Sequence, residues 1–428
     1  MKFLTDEQAR QIGHQFGTPV YVYSEAELVN SAKALLAFPH AFGLTVRYAM
    51  KACPNRAILQ ILTQQGLHID ASSGYEVHRA IAAGISADKI QLTSQQLPDD
   101  ILELATLGVR FNACSLHQLE TFGRLCNSER IEPTADCRNI SIRVNPGLGS
   151  GHCGRCNTGG SGSSFGIWHQ QLASAKALAE KYGLKITRLH THIGSGSDPA
   201  VWVRVADMSL LIAERLPDVE MVNLGGGFKI GRVETEITTD LQVCGEAVKK
   251  AFERFAQRTG RELKLEIEPG TYVVAGAGSI VASVIDVVST KPGDGGQTFI
   301  KVDTGMTENL RSSLYGAQHP ITVVPMSAGQ NRGMHLYVVV GHCCESGDLL
   351  TPAPGEPETI ATRRLTEARI GDYVVIDFTG AYCAGMSGAG YNSFPAAPEV
   401  LARLDGTFQL IRHRQTLSQL IQNEIGLD

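Results

Sequence analysis

The feature that most constrains the fold is an alternation of strand-like and helix-like segments between about residue 30 and residue 275. Eight short apolar runs, rich in β-branched residues, are each followed by a stretch with helical periodicity, clearest in Gln171–Tyr182 and Leu241–Thr259. The predicted strands are Leu44–Met50, Leu67–Ala71, Ile90–Thr93, Val109–Ala113, Ile140–Asn145, Ile186–His192, Val219–Leu224 and Leu263–Glu268. Eight such units in about 245 residues predict an α/β fold of the (β/α)8 barrel type.

The pattern changes after residue 275. The predicted strands there, with few helices between them, are Ser279–Val288, Gln297–Val302, His335–Val340 and Tyr373–Phe378. Turns rich in glycine and proline separate them, which predicts an all-β, barrel-like C-terminal domain. Pro19–Tyr23 is also strand-like, and we expect it to pair with that domain, so that the barrel is an insertion. The expected division is an N-terminal segment over 1–30, the barrel over 31–275 and the β domain over 276–428.

Charge and hydropathy exclude several classes of partner. The formal net charge of -5 over 428 residues leaves no basic field for nucleic acid and no cationic patch for a membrane surface. No apolar run reaches about 18 residues, and Met1–Glu7 lacks the apolar core of a secretory signal. The sequence therefore predicts a cytoplasmic enzyme that binds neither nucleic acid nor membrane.

The 10 cysteines are scattered along the chain, unlike the dense cysteines of a small disulfide-bonded protein. Cys153 and Cys156 have CxxC spacing, but two thiols supply only half of the four ligands that structural zinc requires. No second pair of this kind is present. We therefore interpret both as thiols in the Gly/Ser-rich loop Gly147–Ser164 and predict no metal.

Lys51 follows the first predicted strand directly. Active sites of (β/α)8 barrels lie at the carboxyl ends of the strands, where low polarity depresses the pKa of a lysine and favours imine formation. Taken alone, however, the position fits a solvent-exposed lysine better.

Three glycines, Gly225, Gly226 and Gly227, follow the seventh predicted strand. Barrels often bind phosphate after strands seven and eight, and glycines let backbone N–H groups approach a phosphate closely. A tight turn is the alternative, but the position favours phosphate binding.

Alternating polar residues mark the ends of strands six and eight. Glu266 and Glu268 are expected on one face of the last strand, where a carboxylate could hold the ring nitrogen of pyridoxal phosphate protonated. His190 and His192 could be metal ligands or could stack on a cofactor ring. With no third ligand evident, the second interpretation is favoured.

With these residues the chain resembles the fold-type III, alanine-racemase-like decarboxylases that depend on pyridoxal 5'-phosphate (PLP), and among them the diaminopimelate decarboxylases. The resemblance covers nearly the whole length. Its motifs are Tyr48-Ala-Met-Lys51, Arg143-Val-Asn-Pro146, Ser164-Phe-Gly-Ile167, His190-Thr-His-Ile-Gly-Ser195, Asn223-Leu-Gly-Gly-Gly227, Glu268-Pro-Gly270, Arg311-Ser-Ser-Leu-Tyr-Gly316, Cys344-Glu-Ser-Gly-Asp348, Gly380-Ala-Tyr382 and Tyr391-Asn-Ser393.

The resemblance implies how PLP is held. Lys51 would bind the cofactor as a Schiff base, His192 would stack on its ring, and Glu268 would pair with the ring nitrogen. Tyr382 would close over cofactor and substrate. The residues implied to hold the phosphate are Ser195, Gly225, Gly226, Gly227, Gly270 and Thr271.

The resemblance also implies the substrate contacts and the assembly. Arg311 and Tyr315 would grip the distal end of an amino-acid substrate. Cys344 and Glu345 would be donated across the interface of a homodimer, with Glu345 recognising the substrate and the Cys344 thiol, or Lys51, returning a proton to Cα. The implied reaction is decarboxylation of meso-2,6-diaminopimelate to L-lysine and carbon dioxide.

Two departures from the family pattern bear on the substrate. Thr271 stands where the family usually has an arginine that binds phosphate or the substrate carboxylate. The chain therefore lacks, at this position, a positive charge and a guanidinium group that donates two hydrogen bonds to one anion. The loop Gly147–Ser164 also differs, with Ser163-Ser164-Phe165 where Ser-Lys-Phe is usual.

Three alternatives remain open from the sequence. Thr271 favours a sister decarboxylase that acts on ornithine, lysine, arginine, a carboxy-polyamine or a carrier-tethered acid. An amino-acid racemase shares the architecture, but Cys344 and Glu345 argue for decarboxylation. A catalytically inactive binding homologue is disfavoured because Lys51, His192, Glu268 and Cys344 are all present.

Overall fold

The computed structural model of the chain describes residues 1–128, 135–148, 159–192, 194, 198–291, 295–329 and 332–427. The chain divides into two compact units. The barrel unit comprises Val29–Ile230 and Ile237–Val273, and the β unit comprises Met1–Leu28, Gly231–Glu236 and Val274–Asp428. Among the described residues, no helix is long and apolar enough to cross a membrane.

A closed ring of eight parallel strands forms the centre of the barrel unit. Its strands are Leu44–Ala49, His68–Ala71, Ile90–Leu92, Arg110–Ala113, Asn139–Asn145, Lys185–His190, Met221–Asn223 and Lys264–Ile267. The last strand pairs with the first, Leu265 opposite Leu44, which closes the ring. The predicted (β/α)8 barrel is confirmed, and an unpredicted short strand, Ile167–Trp168, pairs with the fifth barrel strand.

Helices separate most of these strands along the chain, and polar residues cap several of their first turns. The helices are Glu25–Leu36, Arg56–Gln64, Gly74–Ala82, Ile101–Thr106, Leu116–Cys126, Leu172–Lys181, Pro199–Glu214, Leu241–Thr259 and Thr271–Val274. Side chains of Asn55, Ser73, Ser115 and Asp240 accept hydrogen bonds from first-turn N–H groups. These local signals fix where each helix begins, and therefore how long each loop at the barrel mouth is.

The β unit is built on a nine-stranded sheet. Its strands are Val20–Ser24, Gly278–Ser289, Thr298–Val302, Ile321–Val324, Met334–Val340, Arg363–Thr366, Tyr373–Asp377, Glu399–Ala402 and Phe408–Arg412. A separate hairpin pairs Pro352–Ala353 with Glu356–Ile360. The helices that lie wholly in this unit are Asp6–Phe16, Leu310–Tyr315 and Leu417–Ile421.

The N-terminal strand lies inside this sheet. All five residues of Val20–Ser24 are buried, and the strand runs antiparallel to Gly278–Ser289 and parallel to Glu399–Ala402. Val20, Val22, Val281 and Val400 form a common apolar core there. Because nonlocal pairing holds this strand, the expectation that the β domain takes in the N-terminal strand is confirmed.

Candidate active site

Glu268 directly follows the eighth barrel strand, and hydrogen bonds satisfy both of its carboxylate oxygens. Its Oε1 accepts hydrogen bonds from Gln91 Nε2 at 2.8 Å and from Asn223 Nδ2 at 2.7 Å, and its Oε2 accepts one from His190 Nε2 at 2.9 Å. Burial by itself raises the pKa of Glu268, but His190 and the other donors outweigh it and hold the pKa below its ordinary value. The carboxylate is therefore ionised at neutral pH.

Glu266, two residues earlier, has a different role. It is also buried, and its Oε1 accepts hydrogen bonds from Arg47 Nε at 3.0 Å and Arg47 Nη2 at 2.8 Å. This bidentate pair neutralises Glu266 inside the barrel. Of the two carboxylates, Glu268 is consequently the one whose charge is not cancelled by an arginine.

The glycine triplet packs closely against Glu268 and His192. A Cβ atom on Gly226 would lie 2.2 Å from the backbone oxygen of Glu268, and one on Gly225 would lie 2.5 Å from His192 Nδ1. Gly225 and Gly227 also have positive φ values of 72° and 107°. A side chain would not fit at Gly225 or Gly226, and the bare backbone is the chemistry required beside an anion.

His192 is held as a neutral imidazole. Its Nδ1 accepts a hydrogen bond from the Gly226 backbone N–H at 3.2 Å. Desolvation, with the positive charges of Arg143 and Lys51, lowers the pKa of His192 well below its usual value. A neutral ring fixed against the glycine triplet is suited to packing on an aromatic cofactor rather than to binding an anion.

Lys51 lies in a single 3-10 turn, Met50–Ala52, immediately after the first barrel strand. Its two neighbours in this turn are buried while Lys51 itself is exposed. Its positive charge acts on His192 and Asp70, which places its ammonium group among the mouth residues. The turn therefore exposes Lys51 at the end of the first strand, within electrostatic range of His192 and Asp70.

Four more residues act on Glu268 or His192 and were not predicted as site residues: Asp70, Gln91, Asn223 and Arg143. Asp70 is buried at the end of the second strand, where burial and then the charge of Glu268 raise the pKa of Asp70. Arg143 is buried with its guanidinium 4.9 Å from the Phe165 ring centre. The available signal was a polar residue inside each apolar strand run, which marks the inward face of a barrel.

Some predicted phosphate contacts are only partly described. Ser195 and the Cys153/Cys156 pair lie outside the described residues. Gly270 is buried, and Thr271 opens the short helix Thr271–Val274, directly beyond Glu268. The backbone oxygen of Pro269 accepts a hydrogen bond from Ala49 N at 3.1 Å, which ties this segment to the end of the first strand.

In the β unit, the structure brings together three of the residues predicted to contact substrate. The Arg311 guanidinium carbon lies 5.8 Å from the Tyr315 ring centre and 6.0 Å from the Tyr382 ring centre. Tyr382 has a φ of 57°, a left-handed conformation that bulky residues rarely adopt. Such a conformation persists only where surrounding structure fixes it, and it is common at functional sites.

Cys344 and Glu345 lie elsewhere in the β unit, and both are exposed. The Cys344 N–H donates to Asn392 Oδ1 at 2.8 Å, and Glu345 accepts from Gly347 N at 3.1 Å and from the Tyr391 hydroxyl at 3.3 Å. These bonds, that from Gly347 first, lower the pKa of Glu345. The adjacent Cys343 is buried, which raises the pKa of its thiol to about 12.

The barrel-mouth residues fit PLP. An ionised carboxylate matches a protonated pyridine nitrogen, a neutral imidazole matches the face of the ring, and a side-chain-free backbone matches the phosphate. These features belong to Glu268, His192 and the glycine triplet, and Lys51 supplies the amine beside them.

Comparison with known proteins agrees with this fit. Residues 28–275 match the family described as "Pyridoxal-dependent decarboxylase, pyridoxal binding domain". The diaminopimelate decarboxylase of Escherichia coli K12 is 34% identical over 433 residues, covering 99% of this chain and 97% of the relative. That of Streptomyces coelicolor is 35% identical over 420 residues, covering 96% and 90%.

Solved structures give the same result. A crystal structure of diaminopimelate decarboxylase matches with a TM-score of 0.89 and 33% identity, covering 99% of this chain and 98% of that one. The Helicobacter pylori diaminopimelate decarboxylase complexed with L-lysine matches with a TM-score of 0.82 and 26% identity, covering 97% and 98%. The predicted PLP dependence and decarboxylase class are confirmed, and the chain belongs to the diaminopimelate decarboxylase family of pyridoxal-dependent decarboxylases.

Proposed function

We propose that this enzyme decarboxylates meso-2,6-diaminopimelate to L-lysine and carbon dioxide. The observation that carries the decarboxylation is Glu268, an ionised carboxylate fixed by three hydrogen bonds at the barrel mouth. The substrate is supported by relatives of matching length at 34% and 35% identity and by Arg311, a cation that lies beside the Tyr315 and Tyr382 rings.

Bound PLP supplies an electron sink for the electron pair that remains on Cα when the bond to the carboxylate breaks. We propose that Glu268 keeps a proton on the pyridine nitrogen, which makes that sink effective. Because Gln91, Asn223 and His190 fix both carboxylate oxygens, the charge is preorganised before substrate binds.

Lys51 Nζ is proposed to bind the cofactor covalently, and His192 to pack against its ring. The backbone N–H groups of the glycine triplet, with Ser195, Gly270 and Thr271, are proposed to bind the phosphate. A neutral His192 adds no positive charge that would compete with the protonated pyridine nitrogen for Glu268.

The β unit is proposed to hold the distal half of the substrate and to return the proton. Arg311 would bind the distal carboxylate, with Tyr315 and Tyr382 packing beside it, and Glu345 would pair with the distal amine. Cys344 Sγ or Lys51 Nζ would donate the proton to Cα after carbon dioxide leaves. The exposed position of Cys344 allows its thiol to reach a substrate, whereas buried Cys343 is suited to packing.

We propose further that the enzyme is a homodimer in which Cys344 and Glu345 act in the partner's site. The support is that both side chains are exposed within their own chain although they belong to a family motif. The test is to mix two inactive variants, Lys51→Ala and Cys344→Ala. Hybrid dimers then have one complete site each, and about a quarter of wild-type activity should return; no recovery would mean that both residues act in one chain.

A second substrate class is favoured by one observation. Thr271 stands in place of the family arginine, so a sister reaction on ornithine, lysine, arginine or a carboxy-polyamine is the alternative. The experiment is carbon dioxide release by PLP-loaded enzyme from meso-diaminopimelate, L- and D-lysine, ornithine and arginine. Release from diaminopimelate alone is expected; release from another acid, with diaminopimelate inactive, would contradict the proposal.

A further inference from the structure

Arg232 lies in Gly231–Glu236, a short segment that the sequence places just after the glycine triplet but that belongs to the β unit. Its side chain is only 9% exposed. The carboxylate nearest to it is that of Glu236, whose Oε2 is 3.9 Å from Arg232 Nη1, beyond hydrogen-bonding distance, and whose side chain is 35% exposed. Arg232 is therefore a buried cation with one distant, half-solvated counter-charge.

Two of the three guanidinium nitrogens of Arg232 also lack a hydrogen-bond partner among the described residues. Its Nε and Nη2 are both buried, and no described residue accepts a hydrogen bond from either. Within the part of the chain that the structure describes, no other residue has two such nitrogens. By contrast, buried Arg47 is neutralised by Glu266 at 2.8 Å. Because unsatisfied buried donors of a charged group are costly, Arg232 is arranged for an acceptor that the described part of the chain does not supply.

A second cation lies beside the first. Burial, and after it the positive charge of Arg311, lowers the pKa of Arg232 to about 10. Arg311 Nε is likewise buried without a described acceptor. The positive charges of the two arginines repel each other unless an anion lies with them.

The other neighbours add no negative charge at neutral pH. His319 is buried, and burial, Arg232 and Arg311 lower its pKa well below the usual value, so its ring is neutral. Burial raises the pKa of the Cys383 thiol to about 11, so it stays protonated. The cluster formed by Arg232, Arg311, His319 and Cys383 is thus net positive, apart from the partly exposed Glu236.

We propose that Arg232 and Arg311 together bind the distal carboxylate of the substrate, so that Arg232 takes over the role of the arginine absent at Thr271. A carboxylate is the anion that suits this site because its two oxygens accept from planar guanidinium forks. The inference rests on the proposed function, and it makes Arg232 a specificity residue for amino acids with a second carboxylate.

The chemistry of the reaction provides a matched pair of probes. Removing one carboxylate from diaminopimelate leaves lysine, whose remaining carboxylate is the distal one. Cadaverine has the same carbon chain and amines but lacks that carboxylate. Inhibition by L-lysine therefore depends on the contacts of the distal carboxylate with the arginine pair. Inhibition by cadaverine depends only on the contacts of the carbon chain and the amines.

The experiment compares Arg232→Gln with Arg364→Gln, a control at an exposed arginine of the same unit. In Arg232→Gln, the KM for meso-diaminopimelate and the inhibition constant for L-lysine should each rise roughly 10- to 100-fold, the worth of a charged hydrogen bond. Cadaverine inhibition and cofactor absorbance should stay at wild-type values. Arg232→Lys keeps the positive charge but loses the planar guanidinium group. Its KM and its inhibition constant for L-lysine should therefore lie between those of the wild type and those of Arg232→Gln.

Each outcome decides the inference. If Arg232→Gln leaves lysine inhibition unchanged, or weakens lysine and cadaverine equally, Arg232 does not bind the carboxylate. If that variant does not yield folded, PLP-loaded protein, Arg232→Lys decides in its place, and wild-type lysine inhibition there would overturn the inference. Failure of the proposed function would be seen separately, as wild-type enzyme that releases no carbon dioxide from diaminopimelate.

Discussion

The Glu268 cluster of the barrel unit and the Arg232 cluster of the β unit solve the problem of buried charge in opposite ways. Glu268 is an anion whose two oxygens are fully used by Gln91, Asn223 and His190. Arg232 and Arg311 are cations whose buried donors have no described acceptor. The first cluster is complete before any ligand binds, and the second is complete only with an anion.

This difference separates two tasks of one enzyme. A cofactor that stays bound through many turnovers is best served by a fixed environment, and the barrel supplies one from strand ends. A substrate is better served by groups that its own charge satisfies, because the unsatisfied donors of the free enzyme then favour binding of a matching anion. Variants in the barrel unit should therefore change cofactor binding most. Variants in the β unit should change substrate binding and turnover most.

The largest expected effect is that of Lys51→Ala. Removing the one amine placed beside Glu268 and His192 should abolish turnover together with the visible absorbance of lysine-bound cofactor. The measurement is an absorbance spectrum and a carbon dioxide assay, with exposed Lys250→Ala as the control. Full activity in Lys51→Ala would break the assignment of the barrel as the cofactor unit.

Cys344→Ala should have the next largest effect, and this effect should be on kcat and not on cofactor binding. Loss of a proton donor should lower kcat by roughly 10²- to 10⁴-fold, while the dissociation constant of the cofactor changes little. Steady-state kinetics and PLP titration separate the two. The matched control is the neighbouring Cys343→Ala, which removes a buried thiol and should lower the melting temperature while sparing kcat. Equal loss of kcat and cofactor affinity in Cys344→Ala would make the residue structural.

The barrel could be predicted from sequence because its strands are buried on both faces and appear as apolar runs. Lys51, Glu268 and the glycine triplet could be proposed for the same reason, since each directly follows or ends such a run. Two polar partners of Glu268, Gln91 and Asn223, were not proposed, because each is one polar residue within such a run and nothing in the sequence links it to Glu268. Only closure of the ring, which joins strands far apart in sequence, brings them to one carboxylate.

The β unit was harder to predict because much of its sheet depends on nonlocal pairing. Arg363–Thr366 is largely polar, and Ile321–Val324 and Glu399–Ala402 are only four residues long. None of these was predicted, and Glu399–Ala402 is held by pairing with Val20–Ser24 from the other end of the chain. Arg232 could not be predicted for the same reason. Its segment contains no strand, helix or motif, and its role is inferred only from its proximity to Arg311, which is distant in sequence.

Glu268→Gln should have a smaller, pH-dependent effect on the cofactor-free protein. Folding lowers the pKa of Glu268 below its ordinary value of 4.5, so its stabilising contribution is present above pH 4.5 and is lost as pH falls through the lower folded pKa. At pH 7 the variant should lose about 1.5–3 kcal/mol of unfolding free energy. Denaturant unfolding should show this difference shrinking below pH 4.5; a constant difference would mean that the charge is not what the cluster stabilises.

Gly226→Ala tests the smallest expected effect, which is steric rather than electrostatic. The added Cβ would lie 2.2 Å from the Glu268 backbone oxygen, so the loop must move away from the barrel mouth at a cost of about 1–3 kcal/mol. Because the backbone N–H groups of the triplet move with it, PLP affinity should fall while L-lysine inhibition of the PLP-saturated enzyme stays near its wild-type value. Gly162→Ala is the control, since its Cβ would meet no atom within 4 Å. Fluorescence titration with PLP measures the affinity, and a Gly226→Ala variant that binds PLP normally but loses lysine inhibition would reverse the division of tasks between the two units.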